Sequence, residues 1–341
     1  MLQSVRRPSD DALLGNPQTA HSYAFDNRGR IFIPTDYGGS DSSTMNRGAT
    51  TGPARVCVTN AKGGTGKTTV AINVAGALND RGRDVLFVDL DPQGNATEGL
   101  GLVDAYDAQP PTLFDALTGN PGVLGDLVVE HDEMDVVPAS IDMLQAEHEL
   151  TIADLIARID TRGFDVDPAV LSQFAINVTP EMVRGTHALD TLDRALDTVS
   201  GYDYVIIDSP PFYGKLTDTG VFAAEHILIP ALAEATSERA IELLMDQMAA
   251  MEHQTGISVE TLGVVANRIE PTSEAEMMVE WFEAAFPDTP VWQVRKRVAL
   301  QRAYTEGNSV FGVEERCDMA DVFGDIAAAF DEQFGYSKVT A

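Results

Sequence analysis

From Arg55 onward, short β-branched and aliphatic runs alternate with longer stretches whose apolar residues recur every three or four positions. That alternation predicts βαβ units and a parallel sheet. Strands are expected at Val56-Cys57-Val58-Thr59, Val85-Leu86-Phe87-Val88-Asp89, Met134-Asp135-Val136-Val137, Tyr204-Val205-Ile206-Ile207-Asp208, His226-Ile227-Leu228-Ile229 and Leu262-Gly263-Val264-Val265. Runs so continuously apolar suit strands covered on both faces. Helices are expected at about 67–81, 141–158, 186–199, 236–253, 274–285 and 318–334. Residues 1–53 have no sustained period, and Gly38-Gly39-Ser40-Asp41-Ser42-Ser43 resembles a linker, so they read as a flexible tail with a sticky patch at Ile31-Phe32-Ile33-Pro34. Gly163, Pro168 and Pro180 interrupt 160–185, which reads as an insertion, and 336–341 as a short tail. The expected architecture is one α/β domain over 54–335, with a mostly parallel sheet covered by helices on both faces.

Between the first strand and the first helix lies Asn60-Ala61-Lys62-Gly63-Gly64-Thr65-Gly66-Lys67-Thr68-Thr69. Glycines there let the backbone turn so that successive N–H groups face phosphate oxygens, and the helix N-terminus adds partial positive charge. Gly63, Gly64, Thr65, Gly66, Lys67, Thr68 and Thr69 are therefore the candidate nucleotide cradle. Lys67 would reach the β- and γ-phosphates, and the Thr68 hydroxyl would sit on Mg²⁺. Ala61 stands where the strict phosphate-loop pattern has glycine, so the match is to the variant K-G-G-T-G-K-T, with Lys62 as an additional lysine.

This loop, with Val88-Asp89-Leu90-Asp91-Pro92-Gln93-Gly94-Asn95-Ala96-Thr97 on the second strand, resembles the deviant Walker A ATPases of the ParA/MinD family. The resemblance implies a P-loop NTPase fold and an ATP-dependent homodimer in which Lys62 reaches the partner's phosphates. It further implies that Asp89 orients Mg²⁺-bound water, that Asp91 orients the attacking water, and that Asp208, in a Walker B-like strand ending Ser209-Pro210-Pro211, holds Mg²⁺ through water. Asn267, in Val264-Val265-Ala266-Asn267-Arg268, is expected to contact adenine, and Pro230 and Glu234 to line the nucleotide.

Composition adds a constraint. The chain of 341 residues carries 23 basic against 53 acidic side chains, a formal charge of −30. Only Lys62, Lys67, Lys215, Lys296 and Lys338 are lysines, a pattern expected of a halophile's protein. Against that background Arg295, Lys296, Arg297 and Arg302 form a cluster without an acid between them. The cluster resembles the segment with which ParA relatives bind DNA nonspecifically. Two cysteines, Cys57 and Cys317, exclude a disulfide framework or an iron–sulfur carrier within one chain. No apolar run approaches the length of a membrane span, and Arg6-Arg7 is followed by Pro8-Ser9-Asp10-Asp11 where an export signal has an apolar core, so a cytoplasmic, nucleoid-associated protein is expected.

The function these features imply is an ATP hydrolase of weak, partner-stimulated turnover. It would bind ATP and Mg²⁺, dimerise, bind DNA, and partition a plasmid or chromosome with a ParB-like partner. The alternative is a MinD-like or cargo-positioning ATPase acting on a membrane or protein assembly. The acidic C-terminal stretch, with Asp325, Asp331 and Glu332 against Lys338, speaks against the membrane.

Overall fold

The computed structural model describes residues 52–160, 188–211, 213–313 and 317–337, together with two short strands nearer the N-terminus. Most of the expected N-terminal tail, residues 161–185 of the expected insertion and the final residues 338–341 lie outside the described residues. The chain divides into two units, Met1–Thr44 and Met45–Ala341. In the first, β1 (Ala24–Phe25) pairs antiparallel with β2 (Ile31–Phe32).

The second unit is built on a seven-stranded sheet. Its strands are β3 (Ala54–Val58), β4 (Val85–Asp89), β5 (Asp135–Val137), β6 (Tyr204–Asp208), β7 (His226–Leu232), β8 (Glu260–Ile269) and β9 (Val291–Arg295). They run in the order β5-β4-β6-β3-β7-β8-β9, every neighbouring pair parallel. Such a sheet aligns all strand C-termini along one edge, and the reversal of strand order around β3 opens a crevice there. In this register Asp208 of β6 lies opposite both Val58 of β3 and Asp89 of β4. Two acidic residues far apart in sequence thus become cross-strand neighbours at the crevice.

Side chains alternate across each strand, so the sheet feeds two cores. On one face Cys57, Leu86, Val88, Val205, Ile207 and Val264 meet α5 (Met143–Asp160), α6 (Thr191–Leu196), α7 (Lys215–Ala224), α8 (Thr236–Thr255) and α9 (Ser273–Ala285). On the other, Val56, Val58, Phe87, Ile206 and Val265 meet α1 (Lys67–Asp80), α10 (Val298–Thr305) and α11 (Met319–Phe334). Helix α1 is apolar nearly all round, with Val70, Ala71, Ile72, Val74, Ala75, Ala77 and Leu78 buried, because it lies between the sheet and α11.

All six expected strands are present, and the expected helices recur with shifted ends. The pattern did not disclose β9, α7, α10 or the short helices α2 (Asn95–Gly99), α3 (Val103–Tyr106) and α4 (Leu113–Thr118). The expected basic cluster at 295–302 lies within residues 291–305. They form an edge strand followed by a helix.

Candidate nucleotide site and basic segment

The loop between β3 and α1 is held by its neighbours. Asn60 donates to the Pro230 carbonyl at 2.8 Å, and its Oδ1 accepts the Lys62 N–H at 3.0 Å. Gly64 and Gly66 have φ of 75° and 85°, the left-handed region in which a side chain is strained. A Cβ on Gly66 would also come 2.1 Å from the Asn267 amide nitrogen. That amide donates to the Thr65 carbonyl at 2.8 Å, while Asn267 Oδ1 accepts the Arg268 N–H at 2.8 Å. Asn267, placed by the end of β8 and 3% exposed, therefore braces the phosphate loop. One N–H and one oxygen lone pair of the amide remain for the expected adenine contact.

Lys67 opens α1 directly after Gly66 and is buried. Its ammonium lies 3.5 Å from the Lys62 carbonyl. Burial pulls its pKa below the ordinary lysine value, while the Asp208 and Asp91 carboxylates hold it up. A buried cation with two carboxylates at hand suits a triphosphate that would replace them as counter-charge.

Three aspartates share the crevice, each differently engaged. Asp89 is fully buried, and its Oδ2 accepts both the N–H and the hydroxyl of Thr97 at 2.8 and 2.7 Å. Its Oδ1 accepts the Asp91 N–H at 3.2 Å, and the Thr97 hydroxyl in turn accepts the Ala139 N–H at 3.0 Å. Asp89 thus anchors the loop that carries Asp91. Burial pushes its carboxyl up to about 7. Asp91 accepts the Gln93 N–H at 3.0 Å, and burial raises its pKa while Lys67 opposes the rise.

Asp208 is fully buried, and neither carboxylate oxygen has a hydrogen-bond partner of normal geometry. Burial raises its pKa well above the carboxylate range and neighbouring Asp89 adds to this; the Thr68 hydroxyl and the Lys67 ammonium pull it back. A buried carboxylate with so little hydrogen bonding keeps acceptor capacity free, which fits a group that would hold a cation.

Lys62 lies outside the cradle. Its ammonium meets the Thr236 hydroxyl at 2.6 Å and the Glu234 carboxylate at 3.2 Å, both on its own chain, with the lysine and glutamate side chains 27% and 57% exposed. A pair so exposed contributes at most about 1 kcal/mol, so Lys62 is cheaply released.

The four basic residues divide between β9, the following turn and α10. Arg295, Lys296 and Arg302 are exposed. Arg297 pairs bidentately with Asp318 at 2.7 and 2.9 Å, and Lys296 lies 3.6 Å from Glu270. Acidic neighbours thus balance the cluster at Lys296 and Arg297, and Arg295 also acts on Asp318.

Thr97, Asn73, Glu133, Ser309 and Tyr304 make contacts here that the sequence pattern does not assign. Thr97 stood inside the quoted D-x-D-P-Q-G-N-A-T segment, which was its only signal. Glu133 accepts the Ser309 N–H at 2.7 Å and also its hydroxyl, across a separation of 176 residues that no local pattern reveals.

Residues 54–261, more than half of the chain, match the family model described as an AAA domain. The chain is 29% identical to the sporulation initiation inhibitor protein Soj of Bacillus subtilis over 277 residues, 80% of this chain and 96% of that one. It is 30% identical to the chromosome-partitioning ATPase Soj of Thermus thermophilus over 258 residues, 75% and 86% of the two chains. An ATP complex of a McdA variant from Cyanothece superposes with a TM-score of 0.65 at 19% identity, covering 85% of this chain and 99% of that one, a likeness of fold. The chain belongs to the AAA domain family and, within it, to the partitioning ATPases of the ParA/MinD type.

Proposed function

We propose that this protein is an ATP-driven dimerising switch that binds DNA nonspecifically and partitions a plasmid or chromosome with a ParB-like partner. The observation that carries the reading is Asp208: a fully buried carboxylate beside the glycine cradle, with only the Thr68 hydroxyl and the Lys67 ammonium acting to hold its charge. Asp208 and Thr68 are hard oxygen donors of the kind magnesium prefers. Among the described residues no group of three or more His, Cys, Asp and Glu side chains is arranged to hold a metal, so water and phosphate oxygens would complete the shell. Magnesium bound there neutralises charge on the phosphates.

The remaining residues position and switch. Lys67 binds the β- and γ-phosphates, and the loop N–H groups cradle them. Asp91, its loop fixed by Asp89 and Thr97, orients the attacking water. Lys62 exchanges Glu234 and Thr236 for the triphosphate of a second protomer, which makes closure of the dimer depend on ATP. Turnover stays slow until the partner protein completes the site. In the dimer the cations at 295, 296, 297 and 302 are doubled, and exposed carboxylate partners such as Glu270 and Asp318 are weak enough to be exchanged for DNA phosphates.

DNA is favoured over a membrane by the C-terminal helix. Met319–Phe334 carries Asp321, Asp325, Asp331 and Glu332 and not one lysine or arginine, the reverse of a helix that lies on anionic lipid. Among the described residues no helix is long and apolar enough to cross a membrane.

The test is DNA affinity with and without Mg·ATP over a KCl series, for the wild type and for Arg295→Ala/Lys296→Ala. Binding is expected to need ATP. The slope of log affinity on log salt is expected to shrink by about three to four in the variant, four cations being lost per dimer. ATP-independent binding with an unchanged slope would remove the DNA reading.

A further inference from the structure

One side chain joins the Asp91 loop to the basic segment. Tyr304, late in α10, donates its hydroxyl hydrogen to the Asn95 carbonyl at the start of α2, at 2.7 Å. Its ring lies over Gly99, where a Cβ would come 2.2 Å from the ring edge, so the small residue makes the approach possible. Asn95 follows Asp91 by four positions, within a loop closed by the Gly94 N–H on the Asp91 carbonyl and by the Tyr106 hydroxyl on the Pro92 carbonyl, at 2.9 and 2.8 Å. Just beyond Tyr304 the backbones of Gly307 and Gly101 also meet: a Cβ on Gly307 would lie 3.5 Å from the Gly101 nitrogen.

A second tie comes from the phosphate-loop helix. Asn73, 3% exposed, donates to the Thr69 carbonyl at 2.7 Å and accepts the Val310 N–H at 2.9 Å. Residues 304–310 are thus bonded to α1, which carries Lys67 and Thr68, and to the loop that carries Asp91. Arg302 stands on the same short helix as Tyr304, and Arg295 through Arg297 immediately precede it.

We propose that Tyr304 is a positioning residue that couples the nucleotide state of the Asp91 loop to the basic segment 295–302. A triphosphate that draws the loop toward the crevice moves the Asn95 carbonyl. The hydroxyl carries α10 with it. Coupling of this kind is reciprocal: whatever binds the basic segment acts back on the Asp91 loop to the same extent. The consequence for DNA rests on the proposed function, whereas the coupling itself does not.

Tyr304→Phe deletes the hydroxyl tie and keeps the ring over Gly99. Backbone hydrogen exchange of the full chain, with Mg·ADP or a non-hydrolysable Mg·ATP analogue, reads the coupling without DNA. In the wild type, replacing ADP by the analogue is expected to change exchange in both 91–99 and 298–312. In Tyr304→Phe the change at 91–99 is expected to persist, and that at 298–312 to shrink about fivefold, the worth of one hydrogen bond. Gly99→Ala, which displaces the ring, is expected to do the same. An undiminished response at 298–312 in Tyr304→Phe, a wild-type response confined to 91–99, or faster exchange to the same extent in both nucleotide states would overturn the proposal, the last marking a merely structural tyrosine. In parallel, the ratio of DNA affinities with analogue and with ADP is expected to fall about fivefold in Tyr304→Phe. Failure of the wild type to bind DNA in either state would sink the DNA reading and leave the exchange result to decide the coupling.

Discussion

At the scale of single residues, the site rests on positions whose backbone or burial admits few side chains. Gly66 combines a φ of 85° with a prospective Cβ contact on Asn267. Gly66→Ala is therefore expected to abolish nucleotide binding in a titration with a fluorescent ATP analogue, while circular dichroism shows the fold retained. Asp208 illustrates the opposite economy: its charge is costly without a cation. Asp208→Asn, which removes the buried charge, is expected to raise the melting midpoint of the nucleotide-free protein at pH 8 and to remove the thermal stabilisation that Mg·ATP gives the wild type. A lower melting midpoint for the nucleotide-free variant would show that Asp208 is already satisfied within the chain. The lysines, glycines and aspartates of the site were legible in sequence because phosphate chemistry demands those residue types at close spacing. The hydrogen-bond partners of Asp89 and Asn267 were not, because Thr97 and Thr65 become their partners only once β4, α2 and β8 have packed.

At the scale of elements, legibility followed burial on both faces. Strands β4 and β6 matched their expected bounds because every residue in each is buried and apolar up to the terminal aspartate. Edge strand β9 was missed because Gln293 and Arg295 face solvent and break the apolar run. Helix α7 was missed because Thr217, Thr219 and Gly220 are poor helix formers. Gly220 is nevertheless suited there, a Cβ on it reaching 3.0 Å from Leu90 and 3.4 Å from Cys57. At the far end of the sheet, Asp331 of α11 accepts from Arg81 at 2.8 Å, from Arg83 at 2.9 Å and from the Tyr204 hydroxyl at 3.1 Å. The Arg83 guanidinium stacks 5.0 Å from the centre of the Tyr336 ring. Because Arg83 and Asp331 are both buried, removing one partner strands the other. Asp331→Ala is expected to cost about 3–5 kcal/mol in urea unfolding, and a loss below 1 kcal/mol would mean that α11 is held by its apolar face alone.

At the scale of the whole molecule, a charge of −30 sets the terms of assembly. Two such protomers repel each other, and at 1 M salt the screening length falls to about 3 Å, so raising KCl from about 0.1 to 1 M is expected to tighten the ATP dimer. DNA binding through lysine and arginine responds with the opposite sign, since counterion release weakens as salt rises. Measured side by side, dimer affinity and DNA affinity should therefore move apart along one salt series; parallel movement would mean that the basic segment does not contact phosphate. The central claim concerns the pairing itself, and mass by analytical ultracentrifugation in molar KCl addresses it most directly. With Asp91→Ala to block hydrolysis and saturating Mg·ATP, the protein is expected to sediment at twice its monomer mass, and to return to monomer when Lys62→Ala is added. A monomer in the first sample, or an undisturbed dimer in the second, would contradict the account.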